Sequence, residues 1–230
     1  ESLVGQTPAD YQDTILNTAK LFEQADQLGT AEFFEYISPL ARVSPEKSKH
    51  PGLISQLKGV LEQQQRNQRY LEINGKLIVG IQSQRLPSDP EWVDRYAIEY
   101  VDKANPQQRR FVSVVQAAPD FSTGYLNAEQ LTQSLKALKQ NDLVTGGKRH
   151  LFSAMGLGRS AALAVLEKAE IAIQMGLITE PEQITSWLNE AKASGVRDRG
   201  QHFLSNRSQM IELQKATLML LQEHQLKQAC

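Results

Sequence analysis

The spacing of the apolar residues changes period twice along the chain, and this change limits the possible folds more than any other feature. Between Tyr70 and Val115 apolar and polar residues alternate in short runs, which is the period of β-strands. Before and after this region the apolar residues recur at helical spacing. The pattern predicts an α/β fold in which helices surround a central sheet.

The same pattern predicts the boundaries of the elements. Strands are predicted at residues 70–73, 77–81, 96–101, 111–115 and 149–152, and helices at 127–139, 160–175, 180–193 and 207–228. Turns are predicted at Asn74-Gly75 and at Asn105-Pro106. Residues 1–65 are predicted as an N-terminal helical segment that packs on the core, with one amphipathic helix near Ala31–Ile37, and residues 66–230 as the main domain.

The charge balance and the rare residue types argue against several partners and cofactors. Twenty-five Lys and Arg against 26 Asp and Glu give a net charge of −1, so there is no basic surplus for binding nucleic acid. The apolar runs are far shorter than the roughly 20 residues of a membrane span. One cysteine, Cys230, and four scattered histidines predict neither a disulfide framework nor a metal site, and we expect no cofactor. Because the chain begins with Glu1 instead of Met, we expect it to be a fragment of a longer protein.

The segment from His150 to Leu163 is the most informative about function. A predicted strand runs into small residues and glycines and then directly into a helix. Such a turn can direct several backbone N–H groups and the positive end of a helix dipole at one point, which suits an anion. Arg159 stands at the start of the helix, where its planar guanidinium can bind two oxygens of a phosphate. We therefore expect an oxyanion site here.

Three interpretations of this loop are open. In the first, the glycines serve only tight packing between strand and helix, and the chain is a helical interaction domain. In the second, Gly156-Leu-Gly158-Arg-Ser-Ala161 is the G-x-G-x-x-A fingerprint of a dinucleotide site. That fingerprint requires a further strand ending in an acidic residue, whereas another predicted helix follows from Glu180. The third depends on Ser153, which lies six residues before Arg159.

With cysteine at position 153 the loop would read Cys-x5-Arg followed by Ser, and at this point the sequence resembles the protein tyrosine phosphatases. Other segments resemble that family in the same order along residues 66–225. Arg69-Tyr70-Leu71-Glu72-Ile73 is similar to the loop that sets pocket depth, Pro119-Asp120 to the mobile acid loop, and Val196–Gln209 to the segment ending in a water-positioning glutamine. The phosphotyrosine-specific branch fits best. The resemblance implies a central twisted mixed β-sheet flanked by helices, with residues 66–230 as the catalytic domain.

The resemblance also implies a role for each matched residue. The loop amides and Arg159 would bind the phosphate of a phosphotyrosine-containing protein, or another oxyanion. Asp120 would protonate the leaving phenolate, Gln209 would orient the attacking water, and Ser160 would donate to the departing nucleophile at position 153. The residues expected to bind substrate are Tyr70, Glu72, Ala154, Met155, Gly156, Leu157 and Gly158.

The serine at position 153 has two explanations. Its hydroxyl does not ionise near neutral pH as a thiol in this loop would, so we expect covalent catalysis to be lost and phosphate binding to survive. The chain is then either an engineered Cys→Ser substrate trap or a natural pseudophosphatase. Because a binding-only protein needs neither Asp120 nor Gln209, their presence favours the first explanation.

The sequence also departs from the family pattern. Ala118 replaces the tryptophan of the acid loop, Phe152 the histidine before the nucleophile, and Ser205 the first of two glutamines. The interval from Tyr70 to Tyr96 is shorter than in animal members, which resembles bacterial effector phosphatases. This resemblance predicts a cytoplasmic protein, secreted by a bacterium into the cytosol of a host cell as a virulence factor.

Overall fold

The computed structural model describes residues 31–36, 71–73, 76–117, 125–145, 148–152 and 158–229. Within them the chain forms, in order, β1 (Ala31–Tyr36), β2 (Leu71–Ile73), β3 (Lys76–Ser83), β4 (Val93–Asp102), β5 (Asn105–Ala117), α1 (Ala128–Thr145), β6 (Lys148–Phe152), α2 (Arg159–Gln174), α3 (Pro181–Arg199) and α4 (Arg207–Ala229). The strands and helices expected after residue 70 are therefore confirmed, with ends shifted by a few residues.

The strands form one mixed sheet in the order β2-β3-β4-β5-β1-β6. β2 to β5 are antiparallel neighbours, whereas β1 runs parallel to β5, with Phe33 opposite Val114. β4 is buried along nearly its whole length, and its largest apolar side chains are Tyr96, Ile98 and Tyr100. A strand buried on both faces is typical of sheets in α/β proteins. The predicted α/β class with a mixed sheet is thus confirmed.

Two local predictions are wrong. Residues 31–36 form the strand β1, not an amphipathic helix, because pairing with β5 decides the conformation of a short segment of mixed apolar and acidic residues that suits either element. The turn between β4 and β5 lies at Lys103-Ala104 instead of Asn105-Pro106, since Asn105 already pairs with Asp102. The Asp102 carboxylate accepts a hydrogen bond from the Ala104 N–H at 2.9 Å, which closes the turn at this earlier position.

A buried ion pair lies at the start of β4. The Nε and Nη2 atoms of Arg95 donate to the two carboxylate oxygens of Asp89 at 2.7 and 2.9 Å. The side chain of Arg95 is 2% exposed and that of Asp89 is 0% exposed. Asp89 also accepts a hydrogen bond from the Leu86 N–H at 2.8 Å, so the carboxylate joins the turn before β4 to the strand itself. The bidentate geometry satisfies both charged groups within the core.

The chain divides into two compact units, residues 1–120 with 140–150 and residues 121–139 with 151–230. In the second unit α2 and α3 each pack against α4. The buried side of α2 contains four alanines, whose small volume allows close helix packing. The N-terminal part of α1 is joined to α4 by a hydrogen bond from the Ala128 N–H to Glu212 and by the ion pair Lys136–Glu223, both 2.9 Å.

These contacts change the acidity of the carboxylates that make them. The hydrogen bond from Lys215 lowers the pKa of Glu212, and the Ala128 N–H acts in the same direction. The hydrogen bonds from Lys136 and then Lys227 lower the pKa of Glu223.

Among the described helices, none is long and apolar enough to cross a membrane.

Candidate functional site

The predicted oxyanion loop ends at the N-terminus of α2. Gly158 is the residue before the first turn, with φ −112° and ψ −89°, and it provides no side chain to cap the helix. Its carbonyl accepts the first helical hydrogen bond, from the Ala162 N–H at 2.8 Å. A helix start without a side-chain cap places the positive end of the helix dipole at Gly158, which favours an anion.

Arg159 and Ser160 begin α2 at this point. Arg159 is half-buried, whereas Ser160 is 3% exposed. No acidic residue lies in the first turn of α2. The N-terminus of α2 is therefore locally electropositive, as an oxyanion site requires.

Gln209 reaches the same place from α4. The helix is capped by Asn206, whose side-chain oxygen accepts hydrogen bonds from the N–H groups of Ser208 at 2.9 Å and Gln209 at 3.3 Å. Gln209 is 4% exposed. A Cβ atom placed on Gly158 would lie 3.4 Å from the Oε1 atom and 3.8 Å from the Nε2 atom of Gln209. The carboxamide of Gln209 thus lies directly against the N-terminus of α2.

The carboxamide of Gln209 has no hydrogen-bond partner among the described residues. A carboxamide beside the N-terminus of a helix is well placed to bind water or an oxygen of a bound anion.

Of the residues that the sequence singled out, the structure brings together Gly158, Arg159, Ser160 and Gln209 in one unit. Glu72 lies on the edge strand β2, opposite Leu77. The remaining predicted residues lie outside the described part of the chain: Tyr70, Asp120, Ser153, Ala154, Met155, Gly156 and Leu157. Their roles stay predictions.

Sequence reasoning missed three residues that lie shortly before α4 or pack there. The Phe203 ring packs on Gly195, and Leu204 has a positive φ of 48° while its side chain is fully buried. A glycine inside the helical pattern at position 195 was the only sequence signal for this packing.

Within the described ranges no group of three or more His, Cys, Asp or Glu side chains could hold a metal ion.

No protein-family model and no curated protein sequence matches the chain. Solved structures match it in fold. PTPN18 in complex with HER2-pY1196 phosphopeptides gives a TM-score of 0.59 at 11% sequence identity, and the match covers 90% of this chain and 63% of that one. A second PTPN18 structure, which concerns distinct HER2 tyrosine phosphorylation sites, gives 0.58 at 12% identity and covers 90% and 65%.

PTPN18 is a protein tyrosine phosphatase, and the likeness shows that this chain has a fold of that kind. The chain covers less than two thirds of the length of the PTPN18 chains.

Proposed function

We propose that this protein binds the phosphate of phosphotyrosine in proteins and that, with cysteine at position 153, it is a protein tyrosine phosphatase. The observation that carries the proposal is the position of the Gln209 carboxamide beside Gly158, at the helix end where Arg159 begins. This arrangement joins a water-binding group to an anion-binding group. The phosphatase-like fold supports the same function.

In the proposed reaction a thiolate at position 153 attacks phosphorus in line with the phenolic oxygen. The S–P bond forms as the P–O bond breaks, and Asp120 gives its proton to the departing phenolate. Arg159 and the loop amides stabilise the charge on the three transferring oxygens. A water held by Gln209 then loses a proton to Asp120 and attacks phosphorus, which releases inorganic phosphate and the thiolate.

In the chain with Ser153 the first step fails, because a serine hydroxyl is neither ionised nor a good leaving group here. The binding step needs only Arg159 and the amides, so it remains. We propose that this chain is a substrate-trapping form of an active enzyme. The second candidate is a natural pseudophosphatase that binds phosphotyrosine without turnover, and the codon for residue 153 in the source gene decides between the two.

Binding is tested with the chain as it stands. Titration with a phosphotyrosine peptide should give saturable binding, and Arg159→Ala should weaken it by about 2 to 5 kcal/mol, as expected for loss of one member of a buried charge pair. Arg197→Ala is the matched control, since Arg197 is an exposed arginine near the end of α3. Equal affinity for the phosphorylated and unphosphorylated peptide would contradict the proposal.

Turnover is tested with Ser153→Cys. This variant should hydrolyse phosphotyrosine peptides and be inhibited by vanadate, an analogue of the transferring phosphoryl group. A folded Ser153→Cys protein that binds the peptide but releases no phosphate would leave only the binding function.

The place of action follows from the sequence resemblance alone. We propose that the intact protein acts in the cytosol of a host cell as a bacterial effector. A reporter fused to the intact protein should reach the host cytosol during infection, and its retention in the bacterium would refute this.

A further inference from the structure

A contact within the second unit restricts how α4 can begin. The Phe203 ring lies on the backbone of α3 at Gly195, so that a Cβ atom at position 195 would be 2.1 Å from Cε1 and 2.3 Å from Cδ1 of the ring. No side chain fits at position 195 unless the ring moves. A glycine inside a helix is unfavourable by roughly 1 kcal/mol relative to alanine, and here it provides the room for Phe203.

The residue after Phe203 has an unusual backbone conformation. Leu204 has a φ of 48°, the left-handed region that costs a non-glycine residue about 1 to 2 kcal/mol. Its side chain is nevertheless 0% exposed. The apolar core therefore holds Leu204 in this conformation, since burial of a leucine offsets such a cost.

The residues that connect this contact with the candidate site are held in place by hydrogen bonds. The N–H of Phe203 donates to the carbonyl of Gly200 at 3.1 Å, and Leu204 is followed by Ser205 and by the helix cap Asn206. Asn206 accepts hydrogen bonds from Ser208 and Gln209 and thereby sets the first turn of α4. Gln209 is the third residue of that helix, so a shift of the turn is carried directly to its carboxamide.

We propose that Gly195, Phe203 and Leu204, which we call the Gly195 clamp, are positioning residues for Gln209. The clamp fixes the start of α4 so that the Gln209 carboxamide stays against Gly158. The inference rests on the proposed phosphatase function, in which Gln209 orients the water of the second chemical step. Displacement of the clamp should therefore slow hydrolysis of the phosphoenzyme and leave its formation unchanged.

The test uses Ser153→Cys as the parent, p-nitrophenyl phosphate as the substrate, and rapid mixing to separate the two steps. Gly195→Ala should slow phosphoenzyme hydrolysis about 10- to 100-fold, the scale expected when a reacting group is displaced by up to about 1 Å. Formation of the phosphoenzyme should change by less than about 2-fold, so a burst of one p-nitrophenol per site appears. Phosphate affinity should also stay within about 2-fold, because Arg159 and the amides are unchanged.

Three further variants separate positioning from general damage. Glu190→Ala changes an exposed residue of the same helix and should behave like the parent. Gly195→Ala combined with Gln209→Ala should hydrolyse the phosphoenzyme no more slowly than Gln209→Ala alone, because the clamp acts through Gln209. Phe203→Leu removes the ring without adding a clash and decides the question if Gly195→Ala does not fold.

The outcomes distinguish the two proposals. An inactive parent would refute the phosphatase function. An active parent in which the clamp variants hydrolyse the phosphoenzyme as fast as the parent would overturn the positioning role alone. Equal slowing of both steps, or additive losses in the double variant, would also overturn it, since either result shows an effect that does not pass through Gln209.

Discussion

The buried ion pair Asp89–Arg95 gives the most quantitative prediction for the first unit. Replacing Asp89 with alanine removes two hydrogen bonds from Arg95 and one from the Leu86 N–H. The guanidinium, which is 2% exposed, then loses both bonds to this carboxylate and keeps its other partners, among them Gln140 at 3.4 Å. Breaking a buried pair in this way costs about 3 to 5 kcal/mol, whereas an exposed pair contributes at most about 1 kcal/mol.

The assays are urea unfolding, which gives the free energy of unfolding, and thermal unfolding, which gives the melting temperature, both followed by circular dichroism. For a chain of this size the predicted loss lowers the melting temperature by about 6 to 20 °C, at roughly 2 to 4 °C per kcal/mol. Lys227→Ala is the matched control, because it breaks an ion pair with Glu223 in which the lysine side chain is 72% exposed. Its effect should stay within about 0.5 kcal/mol.

A double variant tests the cause of the loss. Asp89→Ala combined with Arg95→Leu removes the buried positive charge as well and should recover a large part of the stability, because an apolar pair in such a site is often no less stable than the ion pair. A loss below about 1 kcal/mol for Asp89→Ala would refute the reasoning. So would a double variant that is less stable than the single one.

Three other predictions follow from the same structure. In the Ser153→Cys background, Asp120→Ala should slow turnover of p-nitrophenyl phosphate about 10²- to 10⁴-fold with little change in phosphate affinity, and a smaller loss would exclude Asp120 as the general acid. Gly195→Ala should lower the free energy of unfolding by about 1 to 3 kcal/mol through overpacking. Gly158→Ala should change it by less than about 1 kcal/mol, because the added Cβ would make only an ordinary contact at 3.4 Å. Equal losses for the two variants in urea unfolding would contradict this prediction. Lysine partners lower the pKa of Asp102, Glu212 and Glu223 in the folded state. These ionised carboxylates therefore stabilise the fold at any pH above their pKa in the unfolded chain, which is near 4. The free energy of unfolding should fall as the pH drops below about 4 and the carboxylates become protonated. Replacing Glu212 and Glu223 with glutamine should flatten that acid limb, and an unchanged limb would show that other groups cause it.

The sequence predicted the regular elements after residue 70 because their signals are local. Period-two runs such as Tyr96–Val101 and helical runs such as 160–175 specify their own conformation, and only their ends shifted by a few residues. The prediction for residues 31–36 failed because six residues of mixed apolar and acidic character suit either element, and the choice is made by pairing with β5, which lies far along the chain. The turn at Lys103-Ala104 was missed because the hydrogen bond from Asp102 outweighs the turn preference of Asn105-Pro106.

The candidate site was predictable in part for similar reasons. Arg159 and Ser160 follow a glycine loop at a helix start, and that signal is contained in a few consecutive residues. Gln209 lies 50 positions beyond Arg159 and could be connected with it only through the family resemblance. The contact between Gly195 and Phe203 and the left-handed Leu204 depend on three-dimensional packing, for which an isolated glycine in a helical pattern is too weak a signal.

The proposed function depends on an oxyanion that binds at the N-terminus of α2, between Arg159 and Gln209. A crystal structure of the Ser153 chain with a bound phosphotyrosine peptide tests this arrangement. We expect the Arg159 guanidinium and the N–H groups before it to donate to the phosphate oxygens, with the Gln209 carboxamide in direct or water-mediated contact. A phosphotyrosine bound elsewhere on the chain, with Arg159 directed away from it, would refute this binding mode.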